Sequence, residues 1–116
     1  MSNDLQVKQD VLAELTKAMA EAGAISILLE NKGDVTNGQR FWKKKKRLKN
    51  EIDELVEELF DDWATDIEAV SSELKTANVE LGKEIENIKR DYKNFEAIAK
   101  GLKVLDKVLG FAAKFA

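Results

Sequence analysis

The residues best equipped for chemistry lie in two adjoining blocks. Arg40, Lys43, Lys44, Lys45, Lys46, Arg47 and Lys49 give residues 39–50 a net charge of +7, with no acid. Glu51, Asp53, Glu54, Glu57, Glu58, Asp61, Asp62, Asp66, Glu68 and Glu73 give residues 51–73 a net charge of −10, with no base. Carboxylates three and four residues apart share a helix face, where they could gather a hard cation. Such a cation needs about six or more oxygens arranged around it. The block has neither the Asp-x-Asp-x-Asp-Gly run of a calcium loop nor the Glu-x-x-His of a di-iron bundle. A solvated acidic face is the expectation, with no metal site and no cofactor.

Three readings fit the basic block. Its lysines can be solvated while their stems cover Phe41 and Trp42. They can pair with an acidic block, in the same chain or in another copy. They can hold nucleic acid or anionic lipid. The run Lys43 to Arg47 covers more than one helical turn, so its charge points around most of the helix. A nucleic-acid reader concentrates charge on one face, and here the adjoining acids would repel phosphate. Nucleic acid is therefore disfavoured as a partner.

Other chemistries lack their parts. The 116 residues contain no histidine, cysteine or proline. That removes the commonest general base, thiolate catalysis, disulfides and zinc–thiolate sites. An enzyme would have to work with Asp, Glu, Lys or Tyr92 alone, and no constellation of these stands out. No catalytic residue is assigned. No basic segment followed by an apolar run opens the sequence. The longest uncharged stretch, Ala22 to Leu29, falls short of the roughly 20 residues that span a bilayer. A cytoplasmic protein is the expectation.

The elements that carry these blocks are helical. Leu5, Leu12, Leu15, Met19, Ala22, Ile25 and Leu29 recur at helical spacing and predict a helix over about 4–30, with Asn3 as its cap. Gly33 suits a helix end with positive φ. Thr36-Asn37-Gly38-Gln39 has capping-box spacing, so a second helix is expected from about 37. Its apolar pattern runs almost unbroken through Leu48, Leu55, Leu59, Trp63, Ile67, Val70, Leu81 and Ile88. Consecutive four-residue steps at Leu59-Trp63-Ile67 read as a stutter or a turn, and Thr65-x-x-Glu68 as a possible fresh cap. A last helix is expected over 94–114, with Asn94 as a possible cap.

Geometry then bears on assembly. One helix from Asn37 to Lys114 would be about 115 Å long, against about 40 Å for the first. The first helix could not cover such an apolar stripe. The expectation is a single all-α domain over 1–116, an elongated helical hairpin or three-helix bundle with coiled-coil character. Its three helices, 4–30, 37–92 and 94–114, would assemble with further copies into a homodimer or larger. Within one helix the charge order opposes the helix dipole. Two copies crossing antiparallel near residues 50–55 would set each basic block against an acidic one. Lys44, Lys45, Lys46, Glu54 and Glu58 are the residues assigned to that contact.

Two further features bear on partners. From Phe95 to Ala116 the apolar arc is wide, with Leu102, Leu105 and Leu109 at its centre and Lys100, Lys103, Lys107 and Lys114 in a narrow stripe. This suits a helix buried on two sides of an oligomer core, or a helix lying at a membrane surface. Trp42 and Trp63 are three heptads apart and are expected to share a face, with Trp63 in a core or dimer seam. The chain's size, its loop near residue 35 and the run Tyr92-Lys93-Asn94-Phe95-Glu96 resemble the small helical-hairpin proteins of the WxG class. Trp42 is followed by lysines, so the Trp-x-Gly turn is missing, and nothing is carried over. The function expected is non-enzymatic: a structural or interaction protein acting through self-association, possible partners including another helical protein. The alternative is a membrane-surface or pore-forming protein that uses residues 95–116.

Overall fold

A computed structural model describes residues 4–61, 63 and 66–114, and among these it contains four helices and no strand. They are α1 (Asp4–Asn31), α2 (Val35–Glu57), α3 (Ile67–Arg90) and α4 (Phe95–Lys114).

The turn after α1 follows from one glycine. Gly33 has φ of +94°, the left-handed conformation that only glycine adopts without cost. Gly33 N–H donates to the Glu30 carbonyl at 3.0 Å and Asp34 N–H to the Leu29 carbonyl at 2.9 Å. This is the Schellman arrangement, which satisfies the last carbonyls of α1. Asp34 then caps α2, its carboxylate accepting from Asn37 N–H at 3.1 Å and from the Asn37 side-chain amide at 2.8 Å. The cap is thus Asp34 and not Thr36. The capping-box spacing misplaces it because an Asp directly after the turn glycine satisfies the first turn sooner. At the other hairpin, Asn94 caps α4 as expected, accepting from Ala97 N–H at 3.0 Å.

The long second helix does not form. The chain leaves helix at Glu58 and resumes at Ile67, so the bundle has four helices instead of three. Three interactions account for the break. Asp66 caps α3 by accepting from Glu68 and Ala69 N–H at 3.2 and 3.3 Å. Trp63 turns inward to 9 % exposure, and its indole N–H donates to the Glu58 carbonyl at 2.9 Å. Lys8 of α1, only 8 % exposed, donates to the carbonyls of Leu59 and Asp61, with its ammonium 5.3 Å from the Trp63 ring centre. The fresh cap proposed at Thr65, and the Asn3 cap of α1, lie outside the described residues.

The four helices form a square. α1 packs against α2 and α3, α4 packs against α3 and α2, and α2 and α3 take opposite corners. The end of α2 and the start of α3 therefore lie at opposite corners of one end of the bundle. Consecutive helices run antiparallel. α1 and α3 run parallel, with the Asn78 amide donating to the Glu14 carbonyl at 2.9 Å and to its carboxylate at 2.8 Å. α2 and α4 run parallel too, joined by the Lys44–Asp106 ion pair.

Leu15, Ile25, Leu29, Phe41, Leu48, Leu55, Leu74, Leu81, Ile88 and Leu105 are almost fully buried inside this square. Each such side chain contributes roughly 1.5–3 kcal/mol. Close approach is set by two glycines. A Cβ at Gly38 would stand 2.6 Å from Glu30 Cγ and 2.9 Å from the Ser26 carbonyl oxygen, while the Ser26 hydroxyl donates to the Gly38 carbonyl at 2.6 Å. Phe41 of α2 lies on Gly101 of α4, 3.4 Å from where a Cβ would sit. The bundle measures 49 × 22 × 16 Å, so the chain is elongated. Folded back between α2 and α3, the chain covers its own main apolar stripe, and no second copy is needed to cover it.

Candidate interaction surface

The residues singled out by sequence divide between surface and core. Lys44 reaches across to Asp106 of α4. Lys45 turns the other way: its stem packs on Gly23 of α1, and its ammonium stands 4.5 Å from the Trp42 ring centre. Lys46 and Glu54 are exposed, and Glu58 is partly exposed at the end of α2. The basic block therefore spreads over both flanks and the outer edge of α2. Among the described residues, its ion pair with the acidic block is Lys49–Asp53 at 2.9 Å, one turn apart where the blocks meet.

Trp63, Leu105 and Leu109 are core residues. Trp63 lies in the linker, while Trp42 is 40 % exposed on α2, so the two do not share a face. The heptad count assumed a continuous helix between them. Leu105 and Leu109 are buried, but Leu102 is only partly buried, at the rim of an open groove between α2 and α4. That groove, of about 400 Å³, is lined by Phe95, Ile98 and Leu102 together with Arg40, Lys103 and Asp106. The buried side of α4 centres on Gly101, Leu105, Val108 and Ala112. It is displaced from Leu102 because Gly101 is where Phe41 presses in. The wide arc of α4 is thus turned into its own bundle, with Phe111 also buried.

Folding back converts charge blocks in sequence into charge polarity in space. The half that holds both hairpin turns, residues 18–49 and 82–107, carries 15 bases and eight acids. In the half with the linker, the described residues carry four bases and 13 acids. Parallel pairing of α2 with α4 produces this result, since the lysines of both helices lie toward the same end.

No family model, curated protein or solved structure matches the chain.

Sequence reasoning placed Leu5, Leu12 and Met19 on the buried face of the first helix and missed that they border an apolar stripe at the outer margin of the core. On α1, Leu5 and Ile27 are exposed and Leu12 and Met19 partly buried; on α2, Val35, Trp42 and Val56 are exposed and Ile52 partly buried. Lys45 packs on α1 and Lys44 pairs with α4, so Trp42, beyond Lys45, lies on the α1 side of α2. Gly23 and Ser26 face α2 whereas Glu14 faces α3, which puts Leu12, Met19 and Ile27 on the α2 side of α1. The outer surface of the α1–α2 hairpin thus carries apolar residues along most of its length. The signal was present in the sequence: Val35, Trp42, Lys49 and Val56 are seven apart, as are Leu5, Leu12 and Met19.

Among the described residues no group of three or more acidic side chains is placed to hold a metal ion. No described helix is long and apolar enough to cross a membrane. The Glu21 carboxyl is raised above its ordinary range by burial, an effect partly offset by Lys17 and Lys89. It lies toward α3, where its Oε2 is buried without a hydrogen-bond partner. Lys100 is raised by its hydrogen bond to Glu96, on an open helix surface.

Proposed function

We propose that the chain is a non-enzymatic interaction protein that acts by binding other helices through its charged surface, self-association being the first such contact. The observation that carries this is the charge polarity of the folded bundle. Fifteen bases against eight acids gather in one half, while acids dominate the described residues of the other. Such a distribution costs folding energy through repulsion within each half. It becomes favourable when an opposite half is brought alongside, which gives orientation and partner choice. Self-association of this kind would use side-by-side bundles, in place of the shared core expected for a coiled coil.

Sedimentation at low and high salt tests the proposal. A species of about twice the 13.0 kDa chain mass is expected at micromolar concentration and low ionic strength, shrinking as salt rises. A 13.0 kDa monomer at every salt concentration would remove self-association. A membrane-surface role for residues 95–116 would require the bundle to open, since most apolar side chains of α4 are buried within it. Vesicle flotation of the folded chain tests that alternative.

A further inference from the structure

We infer that the outer face of the α1–α2 hairpin is the contact surface of an antiparallel, two-fold dimer of this chain, with Lys49 close to the axis. The inference rests on the self-association proposed above and specifies its surface and register. Two properties of the face point to a second copy as its occupant.

The first is apolar extent. Leu12, Met19 and Ile27 of α1 run beside Trp42, Ile52 and Val56 of α2, and Ile27, Trp42 and Val56 are 54, 40 and 52 % exposed. The hairpin runs along the 49 Å axis of the bundle. Two adjacent helices about 8–10 Å apart make a strip roughly 18–20 Å wide. Over α2, 23 residues and so about 34 Å long at about 1.5 Å per residue, a strip of that width approaches the roughly 800 Å² per partner of a stable interface.

The second is charge complementarity. Along this face the sign reverses between Lys49 and Asp53. Lys45 and Lys46 lie on one side of that point, and Asp53 and Glu57 on the other. A two-fold axis at Lys49 sets Trp42 against Val56 of the second copy and Lys45 against Asp53 of the second copy. Both sets of contacts then form twice, as an isologous interface requires. A parallel arrangement would oppose base to base and acid to acid. The Lys49–Asp53 pair at 2.9 Å supplies a carboxylate beside each Lys49 and limits repulsion at the axis. The exposed side of α1 here is neutral (Gln9, Thr16, Ala20), so α2 sets the register.

The chain has no cysteine, so Lys49→Cys introduces a single thiol. Near a two-fold axis this thiol meets its own copy, and a disulfide requires Cβ atoms about 3.5–4.5 Å apart. Lys83→Cys, exposed on α3 away from the face, is the control. Under mild oxidation Lys49→Cys is expected to form a disulfide dimer at least tenfold faster than Lys83→Cys. Trp42→Ala and Val56→Lys are each expected to weaken dimerisation at least tenfold in sedimentation while their helical spectra are retained. If the wild-type chain is dimeric but the two cysteine variants cross-link equally, or Val56→Lys leaves the dissociation constant unchanged, this surface is wrong while self-association stands. A monomeric wild-type chain overturns both.

Discussion

Lys8→Met tests the account of the linker most directly. Methionine keeps the length of the stem and removes the ammonium. In the wild-type chain that ammonium donates to the Leu59 and Asp61 carbonyls and lies over the Trp63 ring. Hydrogen bonds to a charged donor contribute about 1.5–3 kcal/mol each, and a cation over an aromatic ring about 0.5–2. The full sum is not expected. Asp61 is exposed, so water replaces part of what its carbonyl loses. Methionine also retains contact with the indole. A loss of about 2–4 kcal/mol remains, or roughly 8–20 °C in melting temperature for a chain of this size. Urea unfolding followed by Trp63 fluorescence in a Trp42→Phe background provides both the free energy and a local probe. Emission shifted to the red before global unfolding would report the linker lifting from the end of the bundle. A stability within about 0.5 kcal/mol of the parent would refute the claim that Lys8 holds the linker, since ordinary surface substitutions have effects of that size.

Further outcomes follow from the packing. Gly38→Ala is expected to cost about 1–3 kcal/mol, because the Ser26 backbone carbonyl 2.9 Å from the new Cβ cannot move aside. Gly82→Ala is expected to gain up to about 1 kcal/mol, since nothing lies within 4 Å of the added carbon and alanine favours helix; thermal melts showing the opposite order would contradict the packing at both sites. Leu105→Ala is expected to cost about 2–5 kcal/mol in urea unfolding and Leu102→Ala less than about 1.5, because only Leu105 is fully buried. Equal losses would place the two leucines in equivalent surroundings. Glu21 has a carboxyl raised above its ordinary 4.5 by burial, so the folded chain binds the proton more tightly than the unfolded chain. Stability then falls as pH rises from about 4.5 through the raised value, and it stays lower at neutral pH. Glu21→Gln is expected to raise the melting temperature at pH 7 but not at pH 3.5, and an equal effect at both would assign it to something other than charge burial.

The helical class, the first hairpin turn, the α3–α4 break and the Asn94 cap were all legible in the sequence, because each has a local cause. Gly33 and Asn94 act on their own backbone neighbours. The break at 58–66 was legible only as an open choice, a stutter or a turn at Leu59-Trp63-Ile67, because its main cause lies far off in sequence. Leu55, Leu59, Trp63 and Ile67 keep helical spacing through the linker, since each serves the inside of the bundle whether or not the chain is helical there. What ends α2 is the Trp63 indole on Glu58 and the Lys8 ammonium, 51 and 53 residues from the carbonyls it holds. Asp66 was masked by nearby acids that make any one cap look unremarkable. The charge blocks were legible as counts. Their meaning required the fold, because α2 and α4 had to be found parallel before their lysines could be placed at one end.

That break also changes what assembly can mean for this chain. A continuous helix from 37 to 92 would leave core leucines open, and association would then be part of folding. Closure at residues 58–66 satisfies those leucines internally and leaves a second tier of apolar residues, Ile27, Trp42 and Val56 among them, each only partly exposed. Partial exposure means that each contributes a fraction of the roughly 1.5–3 kcal/mol of a fully buried side chain. Exposed ion pairs add only about 0.2–1 kcal/mol each. Contacts built from such terms are reversible and sensitive to salt, and they leave the monomer folded. The same reasoning separates the lysines of the basic block. Lys44 already serves the fold through Asp106, so reversing its charge would confuse folding with association. Lys46 makes no ion pair within the described chain and is exposed. Its charge is therefore available to an acidic partner without loosening the bundle that presents it.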